Sequence, residues 1–480
     1  MMTTWRTALI GLVGLGGFAA ISLPLINGVV DAPIAVVPTE LAGKTTAFAS
    51  ASPIIQTSCL PCHSSRTVLP WYAQFPVAKQ LIRADIQQAQ AAINLEEALY
   101  TPHQAPNAET LTQVEEVIRH NEMPPLKYAA MHWRSWITPE KKKILLAWIQ
   151  AERQAGQSGR DSLEAVAPEF LNEPVQPLPR HVSIKNSEKV ALGFRLYHDQ
   201  RLSGDGTVSC ASCHALSKGG TDQQPVSTGI HGQQGPINAP TVYNAVYNSH
   251  QFWDGRANDL AEQALGPVTN PKEMGGQWSV ILPLLSKEAS YAAAFKAVYG
   301  SNALTKEQVA DAIAAFEATL ITPDSAFDRY LRGEKTALTP QQLNGYALFK
   351  TNRCTTCHAG KALGGQGFKK LGIQHDYIAD RGHPTEADNG RFNVTQRPGD
   401  KGLFKVPTLR NVAVTGPYFH DGQVKTLEDA IDKMAYYQLG QRLSASEIRD
   451  MAAFLRSLTG TYQGYSLTDT RALQSIQAAP

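Results

Sequence analysis

The sequence has little charge and almost no excess of either sign. Charged residues make up 18% of its 480 positions, below the roughly 25% of an average globular domain. The 44 lysines and arginines nearly balance the 42 aspartates and glutamates, which leaves a formal net charge of +2. Proteins that bind nucleic acid concentrate basic residues on one face, so this balance argues against nucleic acid as a partner.

Long apolar runs are also missing, except for one near the start. A polytopic membrane protein needs several runs of about 20 apolar residues, so that class is excluded. The single run covers residues 8–26, has no charge and follows Arg6, which predicts an uncleaved transmembrane helix with a cytoplasmic start. The alternative is a cleaved signal peptide, but no Ala-x-Ala site directly follows Ile26. We therefore expect a single-pass protein of the inner membrane with its other domains in the periplasm.

No cysteine lies outside a Cys-x-x-Cys-His pattern, which occurs three times. The cysteines are Cys59, Cys62, Cys210, Cys213, Cys354 and Cys357, and the closing histidines are His63, His214 and His358. Two thiols one helical turn apart can add to the two vinyl groups of a haem, and the following histidine then binds the iron as proximal ligand. The pattern predicts three covalently bound haem c groups.

Other uses of six cysteines fit this pattern less well. Three disulfides are compatible with an oxidising compartment, but they need no histidine after each pair. A structural zinc site requires two cysteine pairs at one metal, and a thioredoxin-like motif lies in a βαβ unit without the trailing histidine. Three repeats that use every cysteine favour haem attachment.

The motifs are evenly spaced, with one for each domain of about 150 residues. Strand signals are sparse, and amphipathic helices around Trp148, Phe316 and Phe454 follow the three motifs. The predicted fold is mainly α, with three cytochrome c-like haem domains behind an N-terminal transmembrane helix. The expected order is a transmembrane anchor (1–30), a linker (31–50), an N-terminal monohaem domain (51–158), a Pro-rich linker (159–182), a second haem domain (183–338), a third haem domain (339–462) and a polar tail (463–480).

The second axial ligand of each iron can be a methionine, a histidine or an open position. Met123 precedes two prolines in a stiff, non-helical loop after the first motif, and we prefer it to its competitor Met131. Met434 has the same relative place after the third motif. No comparable methionine follows the second motif, where His231 lies in the glycine-flanked stretch Gly229-Ile230-His231-Gly232 and suits a ligand that can leave.

From about residue 185 to 460 the chain closely resembles the bacterial dihaem cytochrome c peroxidases. The shared stretches are Asn238-Ala239-Pro240-Thr241, Phe252-Trp253-Asp254-Gly255-Arg256, Ala261-Glu262-Gln263, Phe316-Glu317-Ala318-Thr319-Leu320, Leu409-Arg410-Asn411-Val412 and Pro417-Tyr418-Phe419-His420. Residues 55–150 resemble a separate haem-binding domain, with Cys62-His63-Ser64, Pro70-Trp71-Tyr72 and Met123-Pro124-Pro125. Together with the anchor, the chain looks like the trihaem, membrane-bound branch of the family, some members of which are quinol peroxidases.

The resemblance implies an enzyme that reduces hydrogen peroxide to water at the second haem. His231 would occupy the distal side of this peroxidatic haem in the resting enzyme and leave on activation. Glu273 would then serve as acid and base at the peroxide, with Gln263 beside it. The loop from His231 to Asn238 is one residue shorter than the family pattern.

The resemblance also implies the electron path. The third haem, with His358 and Met434, would store electrons, and Trp253 would lie between the second and third haems. A Ca²⁺ ion between their domains would be held by Asn238, Thr415 and Pro417. Because the first unit would lie nearest the membrane, we further hypothesise that electrons come from the quinol pool or a soluble cytochrome c and pass from the N-terminal haem through the third haem to the second.

Two rival hypotheses remain. A trihaem electron carrier without catalysis would need three firmly six-coordinate irons, which the glycine-flanked His231 and the Glu273–Gln263 pair argue against. A cross-link-forming oxidase of the same family has a tyrosine where this chain has Met434, although Tyr436 and Tyr437 lie close by.

Overall fold

The computed structural model describes residues 45–69, 71–101, 104–156, 166–300 and 304–477. The chain forms two compact units that divide between residues 158 and 159. The predicted transmembrane helix lies outside the described residues, as does most of the linker that follows it. Among the described residues, no helix is long and apolar enough to cross a membrane.

The first unit is helical and contains the first Cys-x-x-Cys-His motif. Its α-helices are α1 (Thr46–Ser58), α2 (Leu60–His63), α3 (Pro76–Ala92), α4 (Leu95–Tyr100), α5 (Ala108–Arg119), α6 (Leu126–Met131) and α7 (Pro139–Ala155). Helix α1 begins before the expected domain start at residue 51, because Phe48 is fully buried in this unit. The Phe48 ring lies 5.5 Å from the rings of both Tyr100 and Trp148.

The second unit is also mainly helical and contains the second and third motifs. Its α-helices are α8 (Ser187–Tyr197), α9 (Cys210–Cys213), α10 (Leu260–Thr269), α11 (Trp278–Ser286), α12 (Ala289–Tyr299), α13 (Lys306–Glu317), α14 (Ala326–Leu331), α15 (Pro340–Thr351), α16 (Tyr377–Arg381), α17 (Phe392–Thr395), α18 (Leu427–Leu439), α19 (Ala445–Arg456) and α20 (Thr470–Gln477). Two antiparallel pairs of short strands join β1 (Phe368–Lys370) to β2 (Leu403–Lys405) and β3 (Thr461–Tyr462) to β4 (Tyr465–Ser466).

One helix packing occurs twice in the second unit. Helix α8 packs against α13, and α15 packs against α19 in the same way. A Cβ atom on Gly193 would lie 1.9 Å from the carbonyl oxygen of Ala312, and one on Gly345 would lie 1.9 Å from that of Asp450. Glycine is therefore required at both crossings, because any side chain would collide with the backbone of the partner helix.

Two segments that the sequence assigns to a linker and a tail are packed in the second unit. The described part of the Pro-rich stretch begins with a short 3₁₀ helix at Pro168–Phe170. Further along, Val175 is buried, and Arg410 donates a 2.7 Å hydrogen bond to the carbonyl oxygen of Gln176. At the other end of the chain, Leu467 and Leu473 are buried in the core of the second haem domain. Two apolar side chains in a polar stretch give no periodic signal in the sequence. They are nevertheless enough to hold this segment against the core of the second haem domain.

Candidate functional site

The three motif histidines have the electronic state that iron ligation requires. Burial lowers the pKa of His63, His214 and His358, to about 4 for His358, so these rings are neutral near pH 7. The Nδ1 atom of His63 lies 3.0 Å from the carbonyl oxygen of Ile93, and that of His358 lies 3.1 Å from the carbonyl oxygen of Leu363. Because a carbonyl can only accept, Nδ1 carries the proton in these two rings and Nε2 keeps a lone pair for a metal.

The six cysteines also fit covalent haem attachment. No disulfide joins any two of the six cysteines. Over the described ranges, no three histidine, cysteine or acidic side chains converge as a metal ion would need, so two cysteine pairs do not share a zinc site. The remaining use of two thiols followed by a neutral imidazole is a thioether-linked haem with a histidine ligand.

The candidate methionine ligands lie in different kinds of element. Met123 is in the loop between α5 and α6, as its prolines predict, and is 37% exposed. Its competitor Met131 ends α6 and is 46% exposed. Met434 lies within α18 and packs on a cluster formed by Leu371, Tyr377, Phe404 and Tyr437. No described contact joins either Met123 or Met131 to His63, so the choice of Met123 stays a prediction.

Glu273 lies in a tight turn that follows α10. Its backbone N–H donates to the carbonyl oxygen of Asn270, and the Asn270 side-chain amide donates a 2.8 Å hydrogen bond to the Glu273 carboxylate. Burial raises the pKa of Glu273, and the charge of Arg256 and the hydrogen bond from Asn270 oppose this rise. A carboxyl group whose pKa is raised toward neutrality can both accept and return a proton, which is what general acid–base catalysis requires.

Sequence reasoning missed Asn270 and Arg256 as parts of this site. The guanidinium of Arg256 lies 3.5 Å from the centre of the Phe252 ring and forms a 2.9 Å ion pair with Asp254. For Arg256 the sequence did offer a signal, because this residue ends a stretch that the chain shares with the peroxidases. Asn270 had no signal in the sequence, because its role comes from the turn that brings its amide back to Glu273.

The His231 loop is attached to the Glu273 turn. The Ile230 N–H donates a 2.8 Å hydrogen bond to the Glu273 carbonyl oxygen, and a Cβ atom on Gly229 would lie 2.2 Å from the carbonyl oxygen of Lys272. His231 itself has a left-handed backbone (φ 54°). Its imidazole is 68% exposed, and Nδ1 lies 3.6 Å from a carboxylate oxygen of Asp205.

The role of His231 as a distal ligand in the resting enzyme stays a prediction. The imidazole is turned toward solvent and Asp205. The left-handed backbone at His231 and the carboxylate of Asp205 account for the outward direction.

Comparisons with known proteins identify the family of this chain. The chain matches the di-haem cytochrome c peroxidase model over residues 187–336, a haem-binding domain over 28–151 and cytochrome c over 342–459. It is 46% identical over 413 residues to cytochrome c peroxidase Ccp of Escherichia coli K12, which covers 85% of this chain and 87% of that protein. The chain belongs to the dihaem cytochrome c peroxidase family.

Other relatives extend the comparison within the family. A cytochrome c551 peroxidase of Nitrosomonas europaea is 46% identical over 296 residues, covering 62% of this chain and 87% of the relative. The crystal structure of a MauG-like protein associated with microbial copper homeostasis is 31% identical, covers 59% of this chain and 95% of its own, and has a TM-score of 0.53. Membership confirms two predictions from the sequence: an oxidoreductase of the cytochrome c peroxidase type, and covalently bound haem c.

Trp253 joins the two haem domains of the second unit. Its indole N–H donates a 2.9 Å hydrogen bond to the carbonyl oxygen of Asn238 in the second haem domain. Its ring lies 6.4 Å from the rings of Phe404 and His420 in the third. Gln263 lies in α10, and no described contact joins it to Glu273.

The residues expected to hold Ca²⁺ lie on either side of one segment, residues 219–224. The Asn238 amide donates a 2.8 Å hydrogen bond to the carbonyl oxygen of Gln224. On the other side, the Gln223 amide donates to the carbonyl oxygen of Val414, which precedes Thr415 and Pro417. Carbonyl oxygens such as those of this region are suitable ligands for a hard cation. The Ca²⁺ ion itself stays a prediction.

Proposed function

We propose that this chain reduces hydrogen peroxide to water at the site formed by His214, Glu273 and Gln263, with electrons from the respiratory chain. The observation that carries the proposal is the Glu273 carboxyl group. Its pKa is raised by burial, the Asn270 amide fixes its orientation, and its backbone is joined to the His231 loop. Relatives that are 46% identical carry the name cytochrome c peroxidase or cytochrome c551 peroxidase, which supports the same reaction.

The protein groups have separate tasks in this reaction. A haem attached to Cys210 and Cys213 would supply the iron that binds peroxide and exchanges electrons. Glu273 accepts a proton from the near oxygen of the peroxide and returns a proton to the departing oxygen. Gln263 can donate hydrogen bonds to the oxygens without exchanging protons. Two electrons and two protons convert one peroxide to two water molecules.

His231 controls access to this site in the proposal. An imidazole bound to the iron would exclude peroxide, and the exposed position of the ring beside Asp205 offers it a place when it is not bound. The left-handed backbone at His231 and the glycine that follows it supply a loop in which the side chain can change direction.

The proposal includes a supply of electrons through three haems. The first unit would take electrons from the quinol pool or a soluble cytochrome c with a haem bound by His63 and Met123. From there electrons would pass to the third haem, bound by His358 and Met434, and past Trp253 to the second. The uncharged run at residues 8–26 would hold the chain in the inner membrane, and Ca²⁺ would fix the two later haem domains together.

Substitution of Glu273 by glutamine tests the proposal directly. The variant keeps the shape but cannot accept a proton, so peroxide turnover should fall by roughly 10² to 10⁴, the usual contribution of a placed acid/base group. Glu262→Gln is the matched control, because Glu262 is an exposed carboxylate on α10, the helix that precedes the Glu273 turn. Turnover at the wild-type rate in Glu273→Gln would remove Glu273 from the mechanism.

A further inference from the structure

A continuous series of aromatic rings leads from Trp253 away from the peroxide site. The centre of the Trp253 ring lies 6.4 Å from that of His420, which lies 6.5 Å from that of Tyr377. The Tyr377 ring lies 5.2 Å from Tyr437, and the Tyr437 ring lies 5.0 Å from Tyr436. We call these five residues the aromatic chain.

The aromatic chain passes from the interior to the surface of the third haem domain. Tyr377 and Tyr437 are buried, with 3% and 9% of their surface exposed. Tyr436 is partly exposed, and its ring stacks on the exposed ring of His375 with the two centres 4.2 Å apart. The chain therefore ends where a small molecule in solution can meet Tyr436.

Proton acceptors lie where oxidation of these residues would need them. A tyrosine that loses an electron also releases its phenolic proton, because the oxidised phenol is a strong acid. The Tyr377 hydroxyl donates a 2.9 Å hydrogen bond to Asp421, whose carboxylate also pairs with Arg381 at 2.8 Å. Tyr436 can release its proton to water. The oxidised Tyr436 must lose this proton, because the Arg442 guanidinium 4.0 Å above the ring disfavours a positive charge on the ring.

We propose that the aromatic chain carries oxidising equivalents from Trp253 to Tyr436 when peroxide arrives and no donor electron is available. Electrons move inward from Tyr436 through Tyr437 and Tyr377 to Trp253. There they fill the oxidising equivalents that the reaction with peroxide leaves in the protein. Tyr436 loses one electron and one proton in each step. A soluble one-electron reductant, such as a phenol, a thiol or ascorbate, then restores Tyr436 by giving back one electron and one proton.

This inference rests on the proposed peroxidase function, which supplies the oxidant. The test treats the haem-loaded protein with hydrogen peroxide and no electron donor, follows peroxide consumption, and maps oxidised tyrosines by peptide mass spectrometry. Wild-type protein should accumulate oxidation at Tyr436, and added ascorbate should prevent it. Tyr377→Phe should abolish oxidation at Tyr436, yet consume peroxide with a reduced donor at the wild-type rate.

Tyr465→Phe is the matched control, because Tyr465 is 47% exposed and lies outside the aromatic chain. It should leave oxidation at Tyr436 unchanged. Equal oxidation of Tyr436 in Tyr377→Phe would overturn the path, as would oxidation spread over tyrosines according to their exposure. Peroxide consumption without oxidation at Tyr436 overturns the path and leaves the peroxidase function intact. Failure to consume peroxide at all overturns both.

Discussion

The second and third haem domains share a framework but differ where chemistry occurs. Each has a first helix crossed by a closing helix at a glycine, Gly193 in one domain and Gly345 in the other. In the third domain Met434 projects from a regular helix and packs on a hydrophobic cluster. In the second domain Met274 is buried in the core instead, and the turn around it presents Glu273. We expect this one framework to support a filled ligand position in the third domain and an open one in the second, and we refer to them as the filled site and the open site.

The largest expected effect comes from removing the attachment cysteines of the open site. Cys210→Ala together with Cys213→Ala should leave one fewer covalent haem per chain and abolish peroxide turnover, because the peroxide site loses its iron. The mass of the denatured protein measures the loss. Wild-type protein should carry three haem additions, one for each motif. Ser212→Ala, between the two cysteines, should keep all three, and a double variant with unchanged mass would contradict the assignment.

Replacing the methionine of the filled site should be the next largest effect. Met434→Leu removes a thioether that raises the haem potential, so the third haem should become five-coordinate and its potential should fall. Electron supply to peroxide should then slow. Met274→Leu is the control: a swap of similar volume in the core should cost less than about 1.5 kcal/mol and change no haem spectrum. An unaltered spectrum in Met434→Leu would show that another residue ligates the third haem.

The residues of the shared framework follow directly from the sequence, whereas those of the differing turns do not. The thiols and the motif histidines are set by local spacing, and the closing helices by apolar periodicity around Phe316 and Phe454. The outward direction of His231 depends on a left-handed backbone and on Asp205, which is distant in sequence. Asn270 reaches Glu273 through a local turn, and the charge of Arg256 acts on Glu273 because of tertiary folding. No spacing rule reports either relation.

Substitutions at the two glycine crossings test whether the shared framework contributes equally to the stability of the two domains. Gly193→Ala and Gly345→Ala would each bring a methyl group within 1.9 Å of a backbone carbonyl oxygen, so the helices must separate. We expect each variant to lose about 1–3 kcal/mol of unfolding free energy, as overpacked cores do. Chemical denaturation followed by haem absorbance measures the loss. Gly206→Ala is the control for a glycine with open space around it, although its positive φ adds some strain of its own.

The smallest effect concerns the charge that acts on the open site. Arg256 favours the ionised form of Glu273 and so opposes the rise in pKa that burial causes. In Arg256→Gln the pKa of Glu273 should rise further, so the base form is lost at a higher pH as the solution is acidified. The acidic limb of the profile of kcat/KM against pH should move upward, and the move should be modest because the Arg256 side chain is 45% exposed. Lys272→Gln removes an exposed cation next to Glu273 in sequence, but its charge is not among those that shift the pKa of Glu273, so the limb should stay in place. An equal shift in both variants would mean that net charge, and not the position of Arg256, sets the protonation of the second domain's carboxyl group.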